Sequence, residues 1–476
     1  MAELVDKLAS FKKEYRRGFR LNGERRMLGP EIEGILFDPR NPQTVPRLED
    51  VVGLFEKIAT KVDGARAIHE GLIVNGKLTD KYPTGVKMMV DGYEIDITTD
   101  MSRCTFEVTV PPSSSLARNE YNIKTILGIL SNAVTDSGLV ILGLGAHPFA
   151  DRALKNMMPK PRYSFMSRCF KEEELIGMTI TAATQFHVEV TSEDAARVLN
   201  VLSGFTPALV AATGNSTVIE GEISRYKEYR GIVWDLHASA GSIEKCRVGI
   251  PALFKNVDHY IEYLASHAPI ITKRVLREGE ETYVFFARTL SSFAEFVREG
   301  QADAYRMDTG EKIKIVPQFG DLRILEGTVW PDARLRTRFG TVEFRPCAFQ
   351  PSVDDIMAIG AVVRGLTENS REAEDFLARY TLKEIQQARQ DVIVGGFDSA
   401  IGGTQTTVVC DKMLNIAARG LNESERKFLN PIRTNLEERM SPADRTRKSF
   451  GDDLIGLKRG DAEVVRRFVE KHRFKI

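Results

Sequence analysis

The sequence predicts an α+β protein built on a sheet with one face packed on helices and the other face lining a site. Three observations carry this. Stretches at residues 29–33, 105–110, 185–189 and 341–345 alternate with the period of a strand, apolar on one face. The other face carries Glu31 and Glu33, then Glu107 between Thr105 and Thr109, then Gln185, His187 and Glu189, then Glu343 and Arg345. Between and after them lie segments with apolar residues at helical spacing.

The first stretch, MAELVDKLASFKKEYRRGFR, lacks an apolar signal core and reads as an amphipathic helix leading to the Glu31 strand. Asp38-Pro39-Arg40-Asn41-Pro42 is a turn. Residues 49–63 read as a helix, with Val52, Phe55 and Ile58 on one face. Residues 64–99 read as short strands, because Ile73-Val74-Asn75-Gly76 and Val90-Asp91-Gly92-Tyr93 carry hairpin chemistry. The Val, Thr and Phe content of residues 105–110 favours strand, and Pro111-Pro112 ends it. From Leu116 to Val134 the apolar positions share a helix face, with Gly138 as a stop. Residues 139–145 form a short buried strand that runs into His147-Pro148, where a structural histidine is the simpler reading. Met158 to Tyr163 reads as a loop. Ser192 is expected to cap a helix with Glu193 and Asp194 in its first turn, and residues 200–215 form a buried helix. Glu220 to Arg225 is a polar loop. Helices at 257–266 and 290–299 bracket an insert, and Trp330 to Arg334 lead into the Glu343 strand. Beyond Ser352 the chain is mainly helical and charged. Gly395-Gly396 and Gly402-Gly403 are turns, since no GxxxxGK[ST] accompanies them.

Bulk properties exclude several classes. At 476 residues the chain can bury a large core; length alone suggests about three domains. Lys+Arg and Asp+Glu both total 66, so no basic excess attracts nucleic acid or anionic lipid. No apolar run is read as approaching the ~18 residues of a membrane span. Five scattered cysteines, never in CxxC spacing, suit a reducing cytoplasm and give no zinc signature.

About six carboxylates on one sheet face cannot all stay ionised without cations. Without clustered Cys or His among them, they suit Mg²⁺ or Mn²⁺. Arg162, Arg230 and Arg345 can neutralise a transferring phosphoryl group or hold a carboxylate. The residues alone therefore point to phosphoryl transfer from ATP; the plain alternative is a solvent-facing sheet face with salt bridges.

The motifs resemble the glutamate–cysteine ligases and the YbdK-like carboxylate–amine ligases. The resemblance lies in Gly29-Pro30-Glu31-Ile32-Glu33, in Ile97-Thr98-Thr99-Asp100 followed by Glu107, in GAHPFA at 145–150, and in MMPKPRY at 157–163. It continues in TQFHVEV at 184–190, Arg230 to Trp234, and WPDARLR followed by TVEFR. They occur in family order from about residue 29 to 366. The resemblance implies a curved antiparallel sheet forming a glutamine-synthetase-like funnel, with helices on its outer face. It implies a helical extension at 1–28, a catalytic core at 29–366 and a helical region at 367–476. It also implies the reaction: ATP phosphorylates a substrate carboxylate, and an amine displaces phosphate to give an amide. Glu31, Glu33, Asp100, Glu107, Gln185 and Glu343 would serve the metals. Gln185, His187 and Arg345 would meet the nucleotide, with Arg230 and Arg345 at the acyl phosphate. Arg162, Tyr163, Arg230 and Trp234 would meet the substrates. Leu325-Glu326-Gly327 replaces the family's His-Leu-[Ser/Thr], and His187 replaces its usual Asn, which leaves the amine open. Small-molecule acid and amine partners are expected, without nucleic acid or membrane. A kinase on the same fold and a non-catalytic nucleotide-binding relative are the competing readings.

Overall fold

The four strands expected around the carboxylates join five others in one nine-stranded antiparallel sheet. They are β1 (Leu28–Phe37), β2 (Arg66–Ile68), β3 (Gly85–Val90), β4 (Tyr93–Thr99), β5 (Thr105–Thr109), β6 (Val140–Leu142), β7 (Thr184–Glu189), β8 (Ala333–Arg336) and β9 (Thr341–Phe344). Their order is β8-β9-β7-β1-β5-β4-β3-β2, with β6 paired to the end of β1. This is a computed structural model that describes residues 2–74, 76–239, 245–277, 280–287, 290–307, 309–450 and 461–476.

Register places the polar residues of distant segments side by side. Glu33 lies opposite Glu107, Glu31 opposite Gln185, and His187 opposite Glu343. Alternation sends Ile32, Phe106, Val108, Phe186, Val188, Val342 and Phe344 to the other face, where each is at most 1% exposed. Burial of each such side chain stabilises by about 1.5–3 kcal/mol. Gly34 is required here, because a Cβ at that position would overlap the Phe106 ring. Helices α3 (Leu116–Asp136), α5 (Ala195–Thr213) and α7 (Val353–Glu368) cover this face.

Several expectations hold closely. Helix α2 spans Leu48–Lys61, and the hairpin before β3 pairs Leu72–Val74 with Lys77–Thr79 around Asn75, itself outside the described residues. Helix α1 (Ala2–Arg17) precedes β1. The insert between the helices Val257–Ala265 and Phe293–Glu299 begins a four-stranded antiparallel sheet.

Three expectations are corrected. Residues 161–169 are helical: α4 (Pro161–Cys169) begins with Pro161 at its first turn, where a missing N–H costs nothing. Ser192 caps no helix; α5 starts at Ala195, and the Asp194 carboxylate instead accepts the Thr191 N–H at 2.9 Å. The expected absence of an apolar run near ~18 residues is corrected at the buried helix expected over 200–215: it belongs to α5, which is long and apolar enough to cross a membrane by length and composition. Of its most apolar window 89% is buried inside the fold, so it serves as a core helix. His147 is fully buried, accepts the Ala150 N–H at 3.0 Å through Nδ1, and is driven down to about 3 by burial, as a structural histidine should be.

Candidate active site

The polar face of the sheet divides into two electrostatic halves. In the centre, oxygens of Glu31, Glu33 and Glu107 all lie within 4.8 Å of one another. Gln185 stands between β1 and β9 and donates through Nε2 to Glu33 at 2.7 Å and to Glu31 at 3.1 Å. Its Oε1 is buried with no hydrogen-bond partner. His187 Nε2 lies 3.3 Å from Glu31 Oε2, and its Nδ1 lies 3.1 Å from Thr341 Oγ1.

No cation lies within ion-pair distance of Glu33 or Glu107 among the described residues. The titration of the trio reflects this. Burial, then the nearby Asp100 charge, pushes Glu33 up to about 8. Burial and the charges of Glu31, Asp100 and Glu33 push Glu107 well above the carboxylate range. Burial, the largest influence on Glu31, would raise it too, but the His187 hydrogen bond together with the His187 and Arg345 charges makes the net direction down. Three hard oxygen donors, two of them unable to ionise without compensation, with a spare amide oxygen beside them, form a donor set that fits a divalent hard cation.

Glu343 lies in the same face but in the opposite state. Arg334 grips it with two hydrogen bonds, at 2.8 and 3.0 Å; Arg345 pairs with it, and Arg336 lies 3.5 Å away. Burial opposes ionisation of Glu343, yet the three guanidinium groups hold it well below the carboxylate range. Its oxygens are shared among arginines and do not join the trio. Arg230 enters at the start of α6 (Tyr229–Ser239), buried, and donates through Nη1 to the Arg345 carbonyl at 2.8 Å. A small pocket beside these arginines is lined by Glu228, Asp332 and Arg389 as well.

Helix α4 forms the far wall. Tyr163 is buried and its hydroxyl reaches Asp100 Oδ1 at 3.4 Å; the Arg162 guanidinium lies over the Tyr163 ring at 4.9 Å. Asp100 follows β4 and stands outside the trio's 4.8 Å circle. Trp234 lies on α6, and its side chain is outside the described residues.

Sequence reading gave no role to Arg334, Arg336 or Lys160. The signal for the arginines was present: Ala333-Arg334-Leu335-Arg336 alternates like the other strands. Lys160 is buried, and its Nζ donates to the Thr99 carbonyl at 3.1 Å and lies 3.5 Å from Glu70, a placement that only the docking of residues 157–160 on β4's end creates. Glu326, within the segment that departs from the family pattern, accepts the Thr337 N–H at 3.1 Å and so holds the turn between β8 and β9.

Comparison with known proteins follows the same lines. The sequence of residues 27–469 matches glutamate-cysteine ligase family 2 (GCS2). A Rubrobacter xylanophilus protein named "Putative glutamate--cysteine ligase 2-3" is 24% identical over 240 residues, 50% of this chain and 54% of that one. A Gloeobacter violaceus protein of like name is 23% identical over 309 residues, 62% of this chain and 66% of that one. The matches thus span about half to two thirds of these relatives. In fold, the chain is similar to the glutamate–cysteine ligase of Francisella tularensis solved in complex with AMP, with a TM-score of 0.52 at 12% identity, covering 96% of this chain and 90% of that one. With a family match across nearly its whole length, the chain belongs to glutamate-cysteine ligase family 2.

Proposed function

We propose that this protein is an ATP-dependent carboxylate–amine ligase that forms an amide through an acyl phosphate. The observation that carries the reading is the trio of Glu31, Glu33 and Glu107, within 4.8 Å at the sheet centre and short of cations. Family membership and the fold shared with an AMP-bound ligase support it. The reading includes an open, funnel-shaped sheet, a catalytic core at residues 29–366, and the helical regions flanking it.

Glu31, Glu33 and Glu107, with Gln185 beside them and Asp100 nearby, would hold Mg²⁺ or Mn²⁺, while Glu343, expected as a further ligand, would anchor the arginines instead. A divalent cation bound there would draw charge from the phosphate oxygens of ATP and let the trio ionise. The remaining work falls to this chain's own side chains. An ionised carboxylate is a poor acceptor for an amine, so its oxygen must first take the terminal phosphoryl group, releasing ADP. Arg345 and Arg230, adjacent through the Arg345 carbonyl, present guanidinium forks suited to the phosphoryl oxygens. Arg345 can meet phosphate only by loosening its hold on Glu343, which Arg334 and Arg336 would still neutralise. Arg162, Tyr163 and Trp234 would line the acid and amine side, with Gln185 and His187 toward the nucleotide. The amine then attacks the acyl carbon, and phosphate leaves with one oxygen of the acid.

The test is ADP release measured across a panel of acids crossed with amines. A ligase releases ADP only with both substrates present; release with acid alone marks a kinase. Once the acid is known, ¹⁸O in its carboxylate must appear in inorganic phosphate. Label in AMP would establish adenylation and overturn the acyl-phosphate route.

A further inference from the structure

The turn between β8 and β9, Thr337-Arg338-Phe339-Gly340, presents Phe339 to solvent at 51% exposure. The turn is firmly held. The Phe339 N–H donates to the Arg336 carbonyl at 3.1 Å, and the Gly340 carbonyl accepts the Val190 N–H at 3.0 Å. Thr337 donates to Glu326 through its backbone and to the Tyr15 carbonyl through Oγ1 at 2.9 Å. Gly340 has φ +67°, and a Cβ there would lie 2.6 Å from the Gly18 carbonyl oxygen just beyond α1. A backbone clamped on both sides fixes the phenyl ring at a set place, although leaving that ring in water gives no packing energy.

Its neighbours connect it to the site. The His187 ring meets Phe339 edge-on at 5.7 Å, and the same imidazole lies 3.3 Å from Glu31. Guanidinium carbons of Arg336 and Arg338 lie 5.9 and 5.5 Å from the ring centre. Arg336 is tied to Glu343 and Glu326. Arg338 is exposed and has no hydrogen bond or ion pair among the described residues, so it can swing.

We infer that Phe339 is the platform on which the base of the nucleotide stacks, with Arg338 closing over it and the phosphates running inward past His187 to the carboxylate trio. The assignment rests on the ligase reading and adds to it the place of the base. A flat π-face flanked by mobile positive charge matches a ligand that is flat at one end and polyanionic at the other. An acid or amine substrate of the aliphatic kind offers no such face. Stacking accepts any base, so the site is assigned to a nucleotide without choice of base.

Calorimetric titration tests this, with ADP and Mg²⁺ as one ligand and tripolyphosphate with Mg²⁺, which lacks a base, as the other. Phe339→Ala is expected to weaken ADP about tenfold or more, the scale of one lost base–aromatic stack. Tripolyphosphate should bind wild type and variant alike, and Phe339→Trp should bind ADP within about twofold of wild type. Phe339 is exposed, so an unchanged melting temperature is expected. ADP affinity unchanged in a folded Phe339→Ala overturns the assignment, as does an equal loss for tripolyphosphate or an equal loss in Phe339→Trp. Wild type that binds no ADP at all overturns the ligase reading itself.

Discussion

Two carboxylate groups on one sheet face, a strand or two apart, are held in opposite ways. Glu31, Glu33 and Glu107 crowd together with no ion-pair partner for Glu33 or Glu107 among the described residues, and those two are driven toward the neutral acid. Glu343 is surrounded by Arg334, Arg336 and Arg345 and held ionised. Burial is similar at Glu33 and Glu343, at 8% and 1% exposure, so burial does not set the difference. Partners do. A carboxylate completed by the protein serves structure and fixes arginines in place; carboxylates left incomplete wait for a cation from outside.

The contrast is broken most sharply by deleting one member of each half. Glu107→Ala should fold, with melting temperature held or raised as repulsion is relieved. Its turnover should fall by about two orders of magnitude or more, since even partners one shell out from a metal cost 10–100-fold. Glu343→Gln should do the reverse to stability: it leaves three guanidinium groups short of their shared anion, and breaking a buried pair costs about 3–5 kcal/mol. Chemical denaturation and ADP release on the same samples check both. If Glu107→Ala unfolds with no change in metal affinity, the trio is structural.

Arg345→Lys keeps the charge but loses the planar fork, so it should lower turnover about tenfold while leaving ATP affinity nearly unchanged. Steady-state kinetics with ATP varied separates the two.

The halves should also differ in pH. Glu33 keeps, when folded, a proton that the unfolded chain releases at about 4.5. Its contribution to stability is therefore present below about 4.5 and lost as pH rises toward about 8. Glu107 acts in the same direction, and so do Glu228 and Glu326, each pushed by burial to about 7 outside the trio. The diagnostic part is what Mg²⁺ removes. In EDTA the melting temperature should fall between those pH values, and saturating Mg²⁺ should flatten the trio's share. Glu343, held ionised, contributes no slope there.

Much of this face was legible beforehand because the strand period is exact and local: Glu31, Glu33, Glu107, Gln185, His187, Glu343 and Arg345 are all read from alternation. What alternation cannot give is who meets whom. That Glu33 faces Glu107 depends on register between segments far apart in the chain, and that Glu343 falls to Arg334 depends on the register of its own hairpin. The end of the loop expected at Met158 to Tyr163 was misread because two prolines and two cations imitate a loop, whereas Pro161 sits at a helix's first turn. The buried helix α5 was read only from Asn200 onward because Arg197 and Asn200 break the apolar spacing of its first turns.

A smaller effect is expected at His187. His187→Asn shortens the donor to Glu31 and should weaken Mn²⁺ binding by at most about tenfold, read by titration, since the three carboxylates remain. A larger loss would make the imidazole itself a ligand.

The central claim is that Glu33 and Glu107 hold protons that a divalent cation displaces. Calorimetric titration of Mn²⁺ into the metal-free protein at pH 7, repeated in buffers of different ionisation enthalpy, counts those protons. Release of about one proton or more per ion bound, lessened in Glu33→Gln with most of the affinity lost, is the predicted result. Binding of Mn²⁺ without proton release, or with the same release in Glu33→Gln, would contradict it.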